Sequence, residues 1–415
     1  MPKVVLAPSP PWAFSEGGSM NRELIVVTTH GTSSFDIGED ERVLDALARN
    51  HVPWTAVATY LRDPSGAYSL FPCLSETGSA IPPDRQVYAF FQRNIDPFLH
   101  TNNTLQVSPP ANNEEAVAEY IYANGAAKGG PNILKRLSSN ECKLAVRDAV
   151  AQTLRDTLSP GDKLVVGVSG GGDSNALLYA LSQFDEFPID IHPVIIEGPG
   201  EWNSGVPRAR ELAQAYNLPL TVVSEEESKA ILGASAGGLG ITDRFAREFP
   251  DDDFEFLGTL IIRRVLTSVA KSLDAKFIAT GLNFEDLLGE MFAIMATERR
   301  LLPLPARPIG DVTLVYPLWM TPKKIIDGCF PKYSFSNYAD RYPGYAEGRN
   351  AYYSMAYWMA SAFPGLPEKM LRWAAKEGSA GETVFPVDEV LGYETLEPVN
   401  WALRERFLRM LRTTA

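Results

Sequence analysis

The sequence predicts an α/β protein built around a doubly wound, Rossmann-like parallel sheet, with a β-grasp-like module before it and a helical region after it. Two observations predict the central sheet. An apolar run at 164–168 enters a glycine-rich turn, and a helix with apolar residues on one side follows it. Farther along, strand-like segments near 189–196, 220–223, 277–280 and 313–315 alternate with helical ones. Such alternation favours parallel strands joined by helices.

The flanking regions carry weaker patterns. Short strand patterns around one helical pattern, in the order ββαββ, predict a ubiquitin-like β-grasp module at the start of the chain. No Gly-Gly tail follows this module, so a docking role is favoured over a sulfur-carrier role. Clusters of Pro, Asn and Gly then predict a linker around a short helix at 114–122, and a longer helix is expected at 134–158. The expected divisions are 1–96 for the module, 97–133 for the linker, 134–325 for the α/β domain and 326–415 for the helical region.

Composition limits the choice of partner and compartment. The chain of 415 residues has a net charge of −13 at pH 7. This acidic balance argues against a nucleic-acid partner, which needs a surplus of Lys and Arg. We therefore expect a small-molecule acceptor, with a protein as a further partner for the β-grasp-like module, and a homo-oligomeric state. Absence of a signal peptide, of long apolar segments and of paired cysteine motifs favours the cytoplasm and excludes a disulfide scaffold.

The most informative motif is Ser169-Gly170-Gly171-Gly172-Asp173-Ser174, between the first strand of the central domain and its helix. Glycines allow backbone N–H groups to approach an anion closely, and the N-terminus of a helix adds a partial positive charge. The hydroxyl groups of Ser169 and Ser174 can donate hydrogen bonds to phosphate. No Gly-Lys-Ser/Thr sequence follows, so the motif is not a Walker P-loop.

This strand, Ser-Gly-Gly-x-Asp-Ser loop and helix resemble the pyrophosphate loop of the N-type ATP pyrophosphatases, the PP-loop superfamily. The resemblance implies that ATP and Mg²⁺ bind here and that ATP is cleaved between its α and β phosphates. It also implies adenylation of an acceptor oxygen, after which a nitrogen or sulfur nucleophile displaces AMP. The loop residues 169–174 would bind the phosphates, with Asp173 and Ser174 in catalytic roles, and the backbone near Ile196 would contact the adenine.

A second motif, Gly281-Leu-Asn-Phe-Glu285-Asp286, follows another predicted strand. It resembles the Gly-His-x-x-Asp-Asp stretch of the branch that contains tRNA lysidine synthetase and tRNA thiocytidine synthetase, with Leu282 in place of the His. The resemblance implies that Gly281 lies at the nucleotide and that Glu285 and Asp286 join Asp173 as magnesium ligands. Alternatively, the two acids merely favour the start of a helix, where the helix dipole stabilises negative charge.

Two basic segments complete the resemblance. Arg263 and Arg264 lie on a helical segment that resembles the family helix whose arginine is near the nucleotide, so Arg263 is a catalytic candidate and Arg264 a nucleotide-binding one. Tyr316-Pro-Leu resembles the Arg-Pro-Leu segment of the family, after which Lys323 or Lys324 would stabilise the departing pyrophosphate. Solvent-exposed helix faces are the alternative for both segments.

The three cysteines decide between nitrogen and sulfur chemistry. Thiocytidine synthetase-like enzymes carry paired Cys-x-x-Cys motifs for an iron–sulfur cluster, whereas Cys73, Cys142 and Cys329 are widely spaced. We therefore expect a carbonyl or carboxylate oxygen of a small molecule to be adenylated and then replaced by a nitrogen nucleophile. The first alternative is ATP-dependent thiolation of a nucleobase, tRNA or small molecule, either through Cys329 or with an external sulfur donor. The second alternative is a non-catalytic nucleotide sensor.

Overall fold

The computed structural model describes residues 22–28, 31–91, 105–123, 132–198, 200–235, 238–249, 254–296, 300–331, 347–379 and 401–412. The chain divides into two compact units, Met1–Asn102 and Asn103–Ala415. Within the described residues, no helix is long and apolar enough to cross a membrane.

The first unit holds a mixed five-stranded sheet in the order β2–β1–β5–β3–β4. Strands β1 and β5 are parallel neighbours, and the other pairs are antiparallel. Alternate residues of the strands form a core with the helix α1, and this arrangement is compatible with the β-grasp module, which stays a prediction. The elements are β1 (Arg22–Thr28), β2 (Gly31–Ile37), α1 (Val43–Arg49), β3 (Val57–Arg62), β4 (Tyr68–Leu70) and β5 (Gln86–Phe91), with 3₁₀ turns at Trp54–Ala56 and Gly78–Ala80.

A small sheet begins the second unit, within the stretch for which the sequence predicts a linker. Its strands are β6 (Leu105–Ser108), β7 (Ala118–Tyr122) and β8 (Asn132–Leu137), in the order β6–β8–β7. The prediction of a helix at 114–122 is therefore wrong, because residues 118–122 form strand β7, which pairs with β8. Residues 92–104 and 124–131 lie outside the described part of the chain.

Helix α2 (Ser139–Thr157) starts later than the sequence predicts. Its first turn is fixed by a capping box, in which Ser138 Oγ accepts a hydrogen bond from Glu141 N and Glu141 Oε2 accepts one from Ser138 N. These two bonds satisfy backbone donors that a helix leaves unpaired at its start. The apolar residues before Ser138 belong to strand β8 instead.

The central sheet has six strands in the order β11–β10–β9–β12–β14–β13. All neighbours from β11 to β14 are parallel, which confirms the predicted parallel sheet, and β13 adds an antiparallel edge that the sequence did not predict. Because β10 and β12 lie on opposite sides of β9, the strand order reverses beside β9. Ligands of open α/β sheets bind at such a switch point. The strands are β9 (Lys163–Gly167), β10 (Asp190–Ile196), β11 (Thr221–Val223), β12 (Phe277–Ala279), β13 (Ala306–Ile309) and β14 (Val312–Val315).

Helices cover both faces of this sheet. Leu164 and Val166 pack into the core that includes α2, α3 and α9, whereas Val165 packs into the core that includes α7 and α8. Adjacent residues of a strand point to opposite faces, so this division shows that the sheet is doubly wound. The helices are α3 (Gly172–Ser182), α4 (Gly200–Ala215), α5 (Glu225–Leu232), α6 (Ile241–Glu248), α7 (Phe254–Ser272), α8 (Phe284–Ala296) and α9 (Lys323–Cys329).

Three C-terminal helices pack on the second of these cores. They are α10 (Glu347–Ala362), α11 (Leu366–Ser379) and α12 (Trp401–Arg412), at the positions where the sequence predicts helices. Helices α10 and α11 pack against α8, and α12 packs against α6. The buried guanidinium group of Arg244 on α6 donates to the Leu411 carbonyl oxygen at 3.0 Å, which ties the end of α12 to the domain. The helical region thus shares the core of the α/β domain.

Candidate nucleotide-binding and active site

The glycine-rich loop lies between the C-terminal end of β9 and the start of α3, and it rests directly on α4. Gly170 has a φ of +75°, a left-handed conformation that glycine adopts without steric cost. A Cβ atom on Gly170 would lie 2.5 Å from the carbonyl oxygen of Gly205, and one on Gly205 would lie 2.3 Å from the carbonyl oxygen of Ser169. Both glycines are therefore required for the close approach of loop and helix.

The hydroxyl groups of two serines hold the glycine-rich loop against the first turn of α3. Ser174 Oγ accepts a hydrogen bond from Ser169 N at 2.9 Å, and the two hydroxyl oxygens are 3.1 Å apart. Ser169 Oγ also accepts a hydrogen bond from Gly171 N at 3.3 Å. The N-terminus of α3 lies at this loop, so its partial positive charge favours an anion there.

Lys323 connects the loop to helix α9. Its Nζ atom donates to Asp173 Oδ1 at 2.8 Å and to Asp173 Oδ2 at 2.9 Å, and it lies 3.2 Å from Asp327 Oδ1. Burial by itself would lower the pKa of Lys323, but the two carboxylates outweigh that effect and raise the pKa. The ammonium group therefore stays charged beside the loop. Lys324, the other candidate, is exposed.

The second motif forms the turn between β12 and α8. Gly281 lies against Asp173, since a Cβ atom on Gly281 would be 3.5 Å from Asp173 Cβ. Asn283 Oδ1 accepts from the backbone N of Glu285 at 3.0 Å and of Asp286 at 3.1 Å, while Asp286 Oδ2 accepts from Asn283 N at 2.9 Å. Asp286 Oδ1 also accepts from Tyr353 OH of α10 at 2.9 Å. Asp286 thus caps α8 and holds α10.

Glu285 is a buried carboxylic acid that joins α8 to α9. Only 4% of the residue is exposed, and its Oε2 atom accepts a hydrogen bond from Lys323 N at 2.9 Å. Burial raises the pKa of Glu285 to about 7, although the bond from Lys323 N opposes the shift. The group fixes the start of the helix that carries Lys323, and it changes protonation near neutral pH.

Replacing Glu285 by glutamine should remove a pH-dependent loss of stability. Because the folded-state pKa is raised, the native protein binds the proton more tightly than the unfolded chain. The contribution of Glu285 therefore falls as pH rises from about 5 to about 8. Between about pH 5 and about pH 8, the unfolding free energy of Glu285→Gln should therefore rise by up to about 3 kcal/mol relative to that of wild type. Denaturant unfolding at both pH values measures the difference. Glu405→Gln, at an exposed position of α12, is the control, and an equal gain in the control would contradict the assignment.

The three predicted magnesium ligands do not form a preformed cluster. In the described ranges, no group of three or more His, Cys, Asp or Glu side chains could hold a metal ion. Glu285 accepts a bond from Lys323 N, and Asp286 binds Asn283 and Tyr353. Asp173 is the one of the three on the glycine-rich loop itself.

Known proteins resemble this chain over part of its length. No protein-family model matches it. It is 27% identical over 184 residues to the tRNA-cytidine(32) 2-sulfurtransferase of Neisseria gonorrhoeae. The matched residues cover 43% of this chain and 53% of that protein. It is 27% identical over 126 residues to the cytoplasmic tRNA 2-thiolation protein 1 of Oryza sativa subsp. japonica, which covers 29% of this chain and 35% of the relative. The chain thus spans about half the length or less of these curated relatives.

A solved structure is similar as well. The U34-tRNA thiolase NcsA from Methanococcus maripaludis, with its 4Fe-4S cluster, has a TM-score of 0.49 and 18% identity, over 63% of this chain and 89% of that one. The loop sequence, its position at the switch point of a parallel sheet and the sulfurtransferase relatives point to one family. These findings are consistent with the PP-loop ATP pyrophosphatase superfamily, whose loop this chain resembles.

The remaining residues that the sequence predicts to bind the nucleotide lie on elements around β9. Ile196 is buried at the C-terminal end of β10, the strand beside β9. Arg263 and Arg264 are half-buried on α7, whose Leu266 side chain packs over Gly167, 2.9 Å from where a Cβ atom of that glycine would be. The nucleotide-binding roles of Ile196, Arg263 and Arg264 stay predictions.

The cysteines of the second unit have the surroundings of core residues. Cys142 and Cys329 are both fully buried, and Cys329 Sγ donates to the Ile325 carbonyl oxygen at 3.4 Å. Burial raises the pKa of Cys142 to about 12 and also raises the pKa of Cys329. A sulfur nucleophile needs an accessible thiolate. The structure therefore corrects the catalytic assignment of Cys329, which lies at the end of α9 in the core that includes α2.

Several residues of the site escaped the sequence analysis. Gly205 supports the loop from α4, Asp327 pairs with Lys323, and Tyr353 binds Asp286 from α10. These residues are distant from the loop in sequence and carry no local signal for their roles. Asn283 did have a signal, since Asn followed three residues later by an acid is typical of a helix start.

Proposed function

We propose that this protein is an ATP-dependent sulfurtransferase that thiolates a base of tRNA. The observation that carries the proposal is the match of 184 residues to tRNA-cytidine(32) 2-sulfurtransferases. The second relative, also a tRNA thiolation protein, supports it. The proposal replaces our expectation of nitrogen transfer to a small molecule, and it opposes our expectation that nucleic acid is an unlikely partner. Net charge describes the whole chain and does not exclude a basic face for RNA.

The proposed reaction has two steps. The carbonyl oxygen of the base attacks the α-phosphorus of ATP, the bond to the β-phosphate breaks, and pyrophosphate leaves. Hydrosulfide then adds to the activated carbon, and AMP departs with the former carbonyl oxygen. Loss of one proton leaves a carbon–sulfur double bond in place of the carbon–oxygen one. Adenylation is needed because it converts a poor leaving group into a good one.

Named residues of the loop would supply electrostatic stabilisation. Backbone N–H groups of the loop and the start of α3 would hold the phosphates, and the Lys323 ammonium group would offset charge on the departing pyrophosphate. Asp173 positions Lys323, which it contacts through both carboxylate oxygens. Magnesium, which commonly binds one or two carboxylates plus substrate phosphates, would be held by ATP and Asp173 and would neutralise phosphate charge.

Sulfur would come from outside the chain. An iron–sulfur cluster is commonly held by four cysteine thiolates, whereas the sequence has three cysteines, Cys73 among them. The other two, Cys142 and Cys329, are fully buried, with raised thiol pKa values. These residues do not fit a cluster or a carried persulfide, so we propose that hydrosulfide from outside the chain is the nucleophile, in the cytoplasm, the compartment that the unpaired cysteines favour.

Mass spectrometry of tRNA nucleosides tests the proposal. Unmodified tRNA, ATP, magnesium and sulfide should give AMP, pyrophosphate and one nucleoside heavier by the replacement of oxygen with sulfur. A variant with Cys73, Cys142 and Cys329 all replaced by alanine should give the same product, provided that circular dichroism shows it folded.

The same assay separates the alternatives. An ammonia- or amine-dependent nitrogen product on a small molecule, with no change in tRNA, would restore the ligase hypothesis. ATP binding without pyrophosphate release under any of these conditions would favour the nucleotide sensor. A folded cysteine-free variant that forms AMP but no thiolated base would contradict the external sulfur donor.

A further inference from the structure

The last two helices are a basic region of an acidic chain. The whole sequence has a net charge of −13, yet α11 and α12 together carry seven basic and three acidic residues. The basic ones are Lys369, Arg372, Lys376, Arg404, Arg406, Arg409 and Arg412; the acidic ones are Glu368, Glu377 and Glu405. The acidic surplus therefore lies elsewhere in the molecule, and these helices are a candidate surface for a polyanion.

Helix α11 has one buried face and one basic face. Its inner positions Pro367, Leu371, Ala374, Ala375 and Gly378 are buried. The outer positions 369, 372, 373 and 376 have the i, i+3, i+4, i+7 spacing of one helical stripe, and all four are exposed. This outer face, Lys369-Arg372-Trp373-Lys376, extends for about 10 Å along the helix axis.

The outer face of α11 combines cations with an exposed aromatic ring. Trp373 is 49% exposed and lies between the cations of this stripe, so its ring is accessible to a ligand. Among the residues that the structure describes, no ion pair involves Lys369, Arg372 or Lys376. Helix α12 differs, because Arg409 pairs with Glu248 at 3.2 Å and Arg406 donates to the Glu248 carbonyl oxygen at 2.8 Å. Arg406 and Arg409 thus dock α12, whereas the cations of α11 face solvent.

A hydrogen bond connects the first turn of α11 to strand β7. Tyr120 OH donates to Glu368 Oε1 at 2.6 Å, and Glu368 immediately precedes Lys369. Strand β7, which carries Tyr120, packs against α9, the helix that begins at Lys323. Glu285 in turn binds the backbone of Lys323. The outer face therefore begins one residue from the contact between α11 and β7, and β7 lies against the helix that carries Lys323.

We propose that the outer face of α11 binds the sugar–phosphate backbone of the tRNA next to the base that is modified, with Trp373 stacking on an unpaired base. The inference rests on the proposed function. Lysine and arginine side chains bind phosphates through charge, and an aromatic ring stacks on single-stranded bases regardless of sequence. Placement beside the Tyr120–Glu368 contact would hold the RNA while the neighbouring base enters the site.

Salt-dependent binding of tRNA to matched variants tests the inference. Lys369→Gln, Arg372→Gln and Lys376→Gln are combined in one variant. The control combines Arg136→Gln, Arg147→Gln and Arg155→Gln, which remove the same charge from exposed arginines that pair with acids elsewhere on the second unit. Fluorescence anisotropy with a labelled, unmodified tRNA transcript measures Kd at several salt concentrations. The α11 variant should bind roughly tenfold to a hundredfold more weakly, with a salt slope lower by about 2 to 3.

A second variant separates stacking from charge. Trp373→Ala should weaken tRNA binding by about tenfold with little change in the salt slope, because a stacked ring releases no counterions. An unchanged Kd and slope for the folded α11 variant would overturn the inference, and so would an equal loss in the arginine control. No tRNA binding by wild type would overturn both this inference and the proposed function. Binding through α11 without any thiolated base would sustain the inference and contradict the proposed function alone.

Discussion

Replacing Lys323 by methionine should lower ATP-dependent pyrophosphate release by about a hundredfold or more. The Lys323 ammonium group is buried, stays protonated, and lies 2.8 and 2.9 Å from the two carboxylate oxygens of Asp173. Charge in such a water-poor place stabilises a developing anion far more than charge at the surface does. Initial rates of pyrophosphate release with saturating unmodified tRNA measure the effect. Methionine keeps the length and packing of the side chain while removing its charge.

The neighbouring lysine provides the control for this prediction. Lys324→Met removes the same charge from an exposed position of α9 and should leave the rate within about twofold of wild type. Asp173→Asn should be slow as well, and the double variant should be little slower than either single one, because residues that act as a unit have non-additive effects. Additive losses, or equal losses in the two lysine variants, would show that the Lys323–Asp173 pair has no joint role.

Replacing Gly205 by alanine should disable the loop without unfolding the protein. The new Cβ atom would lie 2.3 Å from the carbonyl oxygen of Ser169, so either the loop or α4 has to move. Overpacking of this kind costs about 1 to 3 kcal/mol. A shifted loop no longer presents its amides correctly, and pyrophosphate release should fall by at least about tenfold with a raised KM for ATP. Steady-state kinetics at varied ATP concentration check both effects.

Gly289→Ala is the matched control. Gly289 lies inside α8, where an added Cβ atom would meet Tyr353 only at an ordinary contact distance of 3.7 Å. Alanine is the better helix former, so this variant should be at least as stable as wild type and equally active. Full activity of Gly205→Ala would mean that the loop tolerates displacement from α4, and the packing argument would then fail.

Strong local patterns explain why the centre of the fold could be predicted. The run at 164–168, the glycine-rich turn and the apolar helix after it form one short segment with consistent signals at every position. Each face of strand β9 packs into a different core, so nearly the whole strand is apolar and easy to recognise. The three C-terminal helices likewise have long periodic patterns.

Weak local patterns explain the failures. Strands β7 and β8 are short and partly exposed, and their apolar residues match a helical spacing as well as an extended one. Pairing between β6, β7 and β8 decides their conformation, and that pairing joins segments that are separate along the chain. Strand β13 was missed for the same reason, since it exists only as the antiparallel partner of β14.

For the site, the sequence by itself determined where the glycine-rich loop lies and which acids begin α8. It also limited the basic residue at the pyrophosphate to Lys323 or Lys324. The tertiary structure decided how these groups are used. It buries Lys323 beside Asp173, commits Asp286 to a helix cap and to Tyr353, and raises the pKa of Glu285. Such roles depend on burial and on partners that are distant in sequence, and both arise only when the helices pack on the sheet.

The cysteines show the same division. The sequence determined that they are few and unpaired, and this excluded a cysteine-rich metal site before any fold was known. Only the tertiary structure decided that Cys329 is a core residue, because its accessibility is set by α2 packing over α9. Spacing along a chain specifies local conformation and residue chemistry, whereas exposure and charge environment are properties of the packed whole.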